Sequence, residues 1–144
     1  MLWLDAGHAA LRPATLAMLE RHWHAGSTLC ISAVTAWEIA LLVNAGRIEL
    51  DLPPAAWVTR FLARPGIESV ALSVAAATRA YPLTGLAQRD PADRLLIAAA
   101  LDLGCPLVTY DARILAVAAQ HGATIGFQAL DEPDPAAAGL LDDN

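Results

Sequence analysis

Lysine is absent from this 144-residue chain, and all nine basic residues are Arg. A phosphotransfer receiver, which needs a Lys downstream of its nucleophilic Asp, is therefore disfavoured. There is no Walker loop, GxGxxG, GxSxG or CxxC, so nucleotide-binding, hydrolase-triad and thiol-redox functions leave the front rank. The only two cysteines, Cys30 and Cys105, lack ligand-like spacing and read as reduced cytoplasmic thiols. Long apolar runs are missing too. Hydrophobic residues make up 56% and the mean hydropathy is +0.44, yet Glu38, Asp90, Asp93, Asp102 and Asp111 interrupt every stretch before it reaches the ~18 residues a membrane span requires. Met1 to Leu4 run straight into Asp5, without a basic n-region or long h-region, so neither a membrane span nor a secretory leader is read.

The formal charge of −6 argues against a nucleic-acid partner only until it is divided along the chain. Asp131, Glu132, Asp134, Asp142 and Asp143 hold five of the fifteen acids, which leaves ten acids against nine Arg before residue 131. That body is near neutral. Arg suits bidentate phosphate contacts, although a compositional bias in so Ala-rich a chain is the better account of it.

Periodicity and punctuation predict helices over 14–25, from Ser32 towards Gly46, over 54–63, 74–81, 91–104 and 112–121. Short apolar runs at 28–31, 67–72, 106–109 and 123–126 read as strands. Alternation of this kind implies an α/β domain with a parallel sheet covered on both faces, over residues 1–130. Ligands of such sheets gather at the carboxyl ends of the strands, where Ser32 and Asp111 fall. Residues 131–144, rich in Pro, Ala and acids, are expected to be disordered.

Three acids then need explaining. Between Ser32 and Asn44 only Thr35 and Glu38 are polar, which predicts a mostly buried helix with one carboxylate inside it. An unpaired buried ion costs several kcal/mol, so Glu38 requires an Arg partner, a proton or a bound cation. Asp90-Pro91-Ala92-Asp93 makes a good helix start, with Asp90 as cap, Pro91 first and Asp93 in the first turn. Asp111 is placed to cap the next helix. If these oxygens hold a metal, the absence of nearby His or Cys ligands favours Mg²⁺ or Mn²⁺ over zinc. His22 and His24 point to different sides of their helix and read as surface or packing residues.

The order of these segments resembles the PIN-domain ribonucleases, specifically the VapC-type toxins of bacterial toxin-antitoxin pairs. Ile31-Ser32-Ala33-Val34-Thr35-Ala36-Trp37-Glu38-Ile39-Ala40, with the sequel Gly46-Arg47-Ile48, is similar to the second acidic motif. Arg89-Asp90-Pro91-Ala92-Asp93-Arg94-Leu95-Leu96-Ile97-Ala98-Ala99-Ala100 is similar to the third, and Leu107-Val108-Thr109-Tyr110-Asp111-Ala112-Arg113 to the fourth. The resemblance implies a three-layer α/β/α fold in which Glu38, Asp93 and Asp111 are catalytic and share a Mg²⁺ (or Mn²⁺) site, with Asp90 and Thr109 in support. It also implies metal-assisted hydrolysis of RNA phosphodiesters, a VapB-like antitoxin packed in an apolar groove, and a homodimer.

The front of the chain departs from the family pattern. Leu2-Trp3-Leu4 looks like a Leu-Trp pair that normally follows the first strand, and residues 5–13 look like the loop after it. On that alignment the first strand and its metal-binding Asp are missing. The competing alignment takes residues 1–4 as the first strand and Asp5 as the first acid, which leaves unusually few positions before Pro13. If the first Asp is lost, a catalytically inactive module that binds antitoxin or RNA becomes the alternative function.

Overall fold

The computed structural model describes residues 12–81, 83, 90–126 and 128–130. Its first helix, α1 (Pro13–His24), starts with Pro at the position where an amide N–H would have no helical partner, and leads into strand β1 (Leu29–Ser32). Ser32 closes β1 and opens α2 (Ala33–Asn44), its hydroxyl accepting from the Val34 amide at 3.2 Å. Helix α3 (Pro54–Leu62) follows, then β2 (Ile67–Val70), which pairs parallel with β1 from Leu29 opposite Ile67 to Ser32 opposite Val70. A parallel pair demands a long crossover, and α2 with α3 supplies it. Ser73 caps α4 (Val74–Ala80), accepting from the Ala76 amide at 2.9 Å.

The second half repeats the scheme. Helix α5 (Pro91–Leu103) ends at Gly104, whose φ of 64° provides the left-handed cap that other residues adopt at a cost. Strand β3 (Leu107–Val108), helix α6 (Ala112–Ile125) and strand β4 (Ala129–Leu130) complete the described chain, with β3 and β4 parallel. Among the described residues the strands thus form two parallel pairs joined by helical crossovers, the α/β class expected. Residues 1–11, with the candidate first strand and Asp5, and the tail from Asp131 lie outside the described residues.

Two expectations are corrected. Helix α6 runs through Gly122 to Ile125, and the last strand lies at Ala129–Leu130 rather than 123–126. One mid-helix Gly costs only about 1 kcal/mol, whereas Gly126 at φ 73° makes the left-handed stop. Helix α2 is also less buried than its apolar sequence implied: Val34 and Ile39 are buried, but Trp37 is 56% and Leu41 50% exposed. A helix apolar all round buries only the faces that meet neighbours, and here the outer face keeps its apolar side chains.

Each strand pair has its own apolar cluster. Ile31, Ile39, Trp57 and Phe61 pack β1, α2 and α3 together, with the Trp57 and Phe61 rings stacked at 5.6 Å. Ile97, Ala100, Ile114 and Val117 join α5 to α6 beside Leu107 and Ala129. Between them Ala76 and Ala80 of α4 meet Ala98 of α5, small side chains that let two helices approach closely.

Candidate functional site

Four carboxylates belong to the segments that follow β1 and β3 and to the start of α5. Glu38 lies on the second turn of α2, half-buried, six residues beyond the Ser32 junction. Asp90 is the N-cap of α5, its Oδ1 accepting from the Ala92 amide at 3.0 Å, and Asp93 sits in the first turn with 5% exposure. The purely structural account of this turn is correct as far as it goes, but it leaves Asp93 as one of only two buried polar side chains among the described residues.

Asp111 is fixed from several directions. Its Oδ1 accepts from the backbone amides of Arg113 at 2.8 Å and Ile114 at 3.4 Å, and its own amide donates to Thr109 Oγ1 at 3.0 Å. Tyr110 anchors the same turn to α1: its hydroxyl donates to Thr15 Oγ1 at 2.9 Å and accepts from the Arg12 amide at 3.0 Å, under the Arg12 guanidinium. Thr15 is fully buried, so this link ties the turn to the core.

The electrostatics couple the four acids. The Glu38 carboxyl is pushed above its ordinary value, first by burial and then by the negative charges of Asp93, Asp90 and Asp111. Asp111 is held below its ordinary value, chiefly by its hydrogen bonds from the Arg113 side chain. That guanidinium is shared. Arg113 Nη2 lies 3.0 Å from Asp111 Oδ2 and 3.4 Å from Asp93 Oδ2, while Nε donates to Asp111 Oδ1 at 3.3 Å. Asp93 and Asp111 are thus brought together on one cation, and Glu38 stands within electrostatic reach of both. No group of three possible metal ligands is drawn together among the described residues.

The donor chemistry nevertheless fits a hard divalent cation. The set is oxygen-only and carries surplus negative charge, which destabilises ionised Glu38. A positive group already occupies the point where Asp93 and Asp111 meet.

Comparison with known proteins defines the lineage. The PIN domain family model matches residues 6–124, most of the chain and all three acidic segments. The chain belongs to the PIN-domain family. Ribonuclease VapC22 of Mycobacterium tuberculosis (strain ATCC 25618 / H37Rv) is 33% identical over 86 residues, covering 60% of this chain and 65% of that protein. The match therefore spans just under two thirds of the relative's length. No solved structure matches the chain.

Within this PIN domain, sequence reasoning passed over Arg113, Tyr110 and Thr15. Arg two positions after an Asp N-cap was a usable signal, because that spacing lets the guanidinium return to the capping carboxylate. The partnership of Tyr110 with Thr15, 95 residues away, left no local trace.

Proposed function

We propose that this PIN domain is a metal-dependent endoribonuclease, the toxin of a VapBC-type pair, with Glu38, Asp93 and Asp111 holding Mg²⁺ or Mn²⁺. The observation that carries this reading is the PIN match across all three acidic segments, with Asp93 and Asp111 meeting at one nitrogen of Arg113 and the half-buried Glu38 coupled by charge to both. When bound, the metal would lower the pKa of an attacking water and offset negative charge developing on the phosphate.

The chain's own residues contribute positions and charge. Asp90 holds the start of α5 so that Asp93 is presented from a fixed first turn. Thr109 and the two amides at the start of α6 fix the rotation of Asp111, and Tyr110 braces that turn against α1. No side chain becomes a covalent nucleophile. An RNA substrate would be positioned through its phosphates by Arg side chains. A shallow apolar groove lined by Ala36, Trp37, Ala40, Pro54, Ala55 and Val58 runs between α2 and α3. In this reading a VapB-like antitoxin packs in an apolar groove and blocks the site, and the toxin acts as a cytoplasmic homodimer. Among the described residues no helix is long and apolar enough to cross a membrane.

The test is cleavage of structured RNA by the purified chain in Mg²⁺, in Mn²⁺ and in EDTA. Cleavage restricted to the metal-containing reactions is expected. Cleavage that persists in EDTA overturns the metal assignment, and no cleavage in any of the three favours the inactive binding module.

A further inference from the structure

Arg113 stands among the proposed metal ligands without being one of them. Its guanidinium joins two helices, meeting Asp111 at the start of α6 and Asp93 at the start of α5 through the same nitrogen, Nη2. The two oxygens that Nη2 meets are the Oδ2 atoms of residues assigned to the metal. Asp93 is almost fully buried, whereas the Arg113 side chain is 60% exposed and open to solvent on its outer side. The guanidinium can therefore leave without disturbing the core. Asp111 would keep its orientation meanwhile, because Oδ1 is held by the backbone amides of Arg113 and Ile114, which stay in the helix.

We propose that Arg113 is a built-in competitor for the metal: its guanidinium and a divalent cation take the same Asp93 and Asp111 oxygens, and metal loading requires the side chain to swing outward. This rests on the metal reading given under Proposed function. A monovalent, mostly exposed guanidinium holds these carboxylates weakly, because solvent screens the pair and the long side chain loses freedom in making it. It yields to a divalent ion at sufficient concentration but sets a threshold for loading. At low metal concentration it offsets part of the repulsion among the acids, which limits the cost of the site to the fold.

Calorimetric titration of the full chain with Mn²⁺, without RNA, tests the proposal with Arg113→Gln and Arg113→Lys. Removing the competitor should tighten Mn²⁺ binding roughly three- to tenfold in Arg113→Gln, while Arg113→Lys stays nearer the wild type. The Mn²⁺-induced rise in thermal midpoint should be larger in Arg113→Gln than in the wild type, because binding to the native state is tighter. Binding in Arg113→Gln equal to or weaker than the wild type overturns the competition and makes Arg113 a residue that positions Asp111, with the metal reading intact. Failure of the wild type and both variants to bind Mn²⁺ overturns the metal reading and this inference with it.

Discussion

Replacing Asp93 by Asn separates the structural from the chemical role of the buried carboxylate. Three contributions to stability change. The negative charge in the first turn of α5 is lost, worth about 0.3–1 kcal/mol through the helix dipole. The 3.4 Å pair with Arg113 is lost, a small loss because the guanidinium is largely exposed and screened by solvent. Against these, the charge that most strongly repels Glu38 is removed. The amide also keeps the size of the carboxylate in a site with 5% exposure, so no cavity opens. The fold should therefore lose no more than about 1 kcal/mol, measured by urea denaturation followed by circular dichroism. Metal-dependent RNA cleavage should behave differently. A metal ligand supports transition-state charge stabilisation of several kcal/mol, so its loss should slow cleavage on the order of 10²–10³-fold. Cleavage within about tenfold of the wild type would refute the assignment of Asp93 as a ligand. A stability loss above about 3 kcal/mol would show that the carboxylate is held for the fold.

Two further outcomes are expected. Glu38 has its carboxyl raised by burial and by its acidic neighbours, so the ionised form is disfavoured in the fold relative to the unfolded chain. In EDTA the wild type should lose stability as pH rises through the ordinary Glu range to the raised native value, and Glu38→Gln should escape that loss. Urea midpoints should therefore favour Glu38→Gln at pH 7.5 and converge towards pH 4; a less stable variant at pH 7.5 contradicts the repulsion argument. Tyr110→Phe removes the hydrogen bond that ties the Asp111 turn to Thr15, at a cost of about 0.5–1.5 kcal/mol, and should weaken Mn²⁺ binding by loosening Asp111. Unchanged Mn²⁺ affinity in that variant would confine Tyr110 to stability.

Much of this organisation was legible because the deciding interactions are local. Ser32, Asp90 and Asp111 are all caps whose side chains accept from amides two or three residues on, and the spacing that defines a cap lies entirely in the sequence. The alternation of helices and strands was readable for the same reason. The exposure of Trp37 and Leu41 on α2 was not, since a run apolar on every side records no difference between side chains that pack inward and those left exposed. The end of α6 was misplaced because two glycines, Gly122 and Gly126, compete to stop it and only backbone geometry separates them. The Arg113 bridge depends on how close the starts of α5 and α6 come, a distance set by the Ile97, Ile114 and Val117 cluster rather than by any motif.

The two parallel strand pairs also bear on how the chain folds. In the first, Ile67 lies 38 positions after its partner Leu29; in the second, Ala129 lies 22 positions after Leu107. Loop-closure entropy grows only logarithmically, so the longer crossover costs about 0.5 kcal/mol more to close than the shorter one. Closure therefore hardly ranks the halves, and what each buries decides the order. The first half seats Trp57 and Phe61, both nearly inaccessible to solvent, whereas the second relies on Ile, Val and Ala. The first crossover should thus be the more persistent unit, with its amides exchanging more slowly with deuterium than those of α6. Asp111 would then be the last acid to take its place, and the carboxylate cluster would form only when the less persistent half docks on the first.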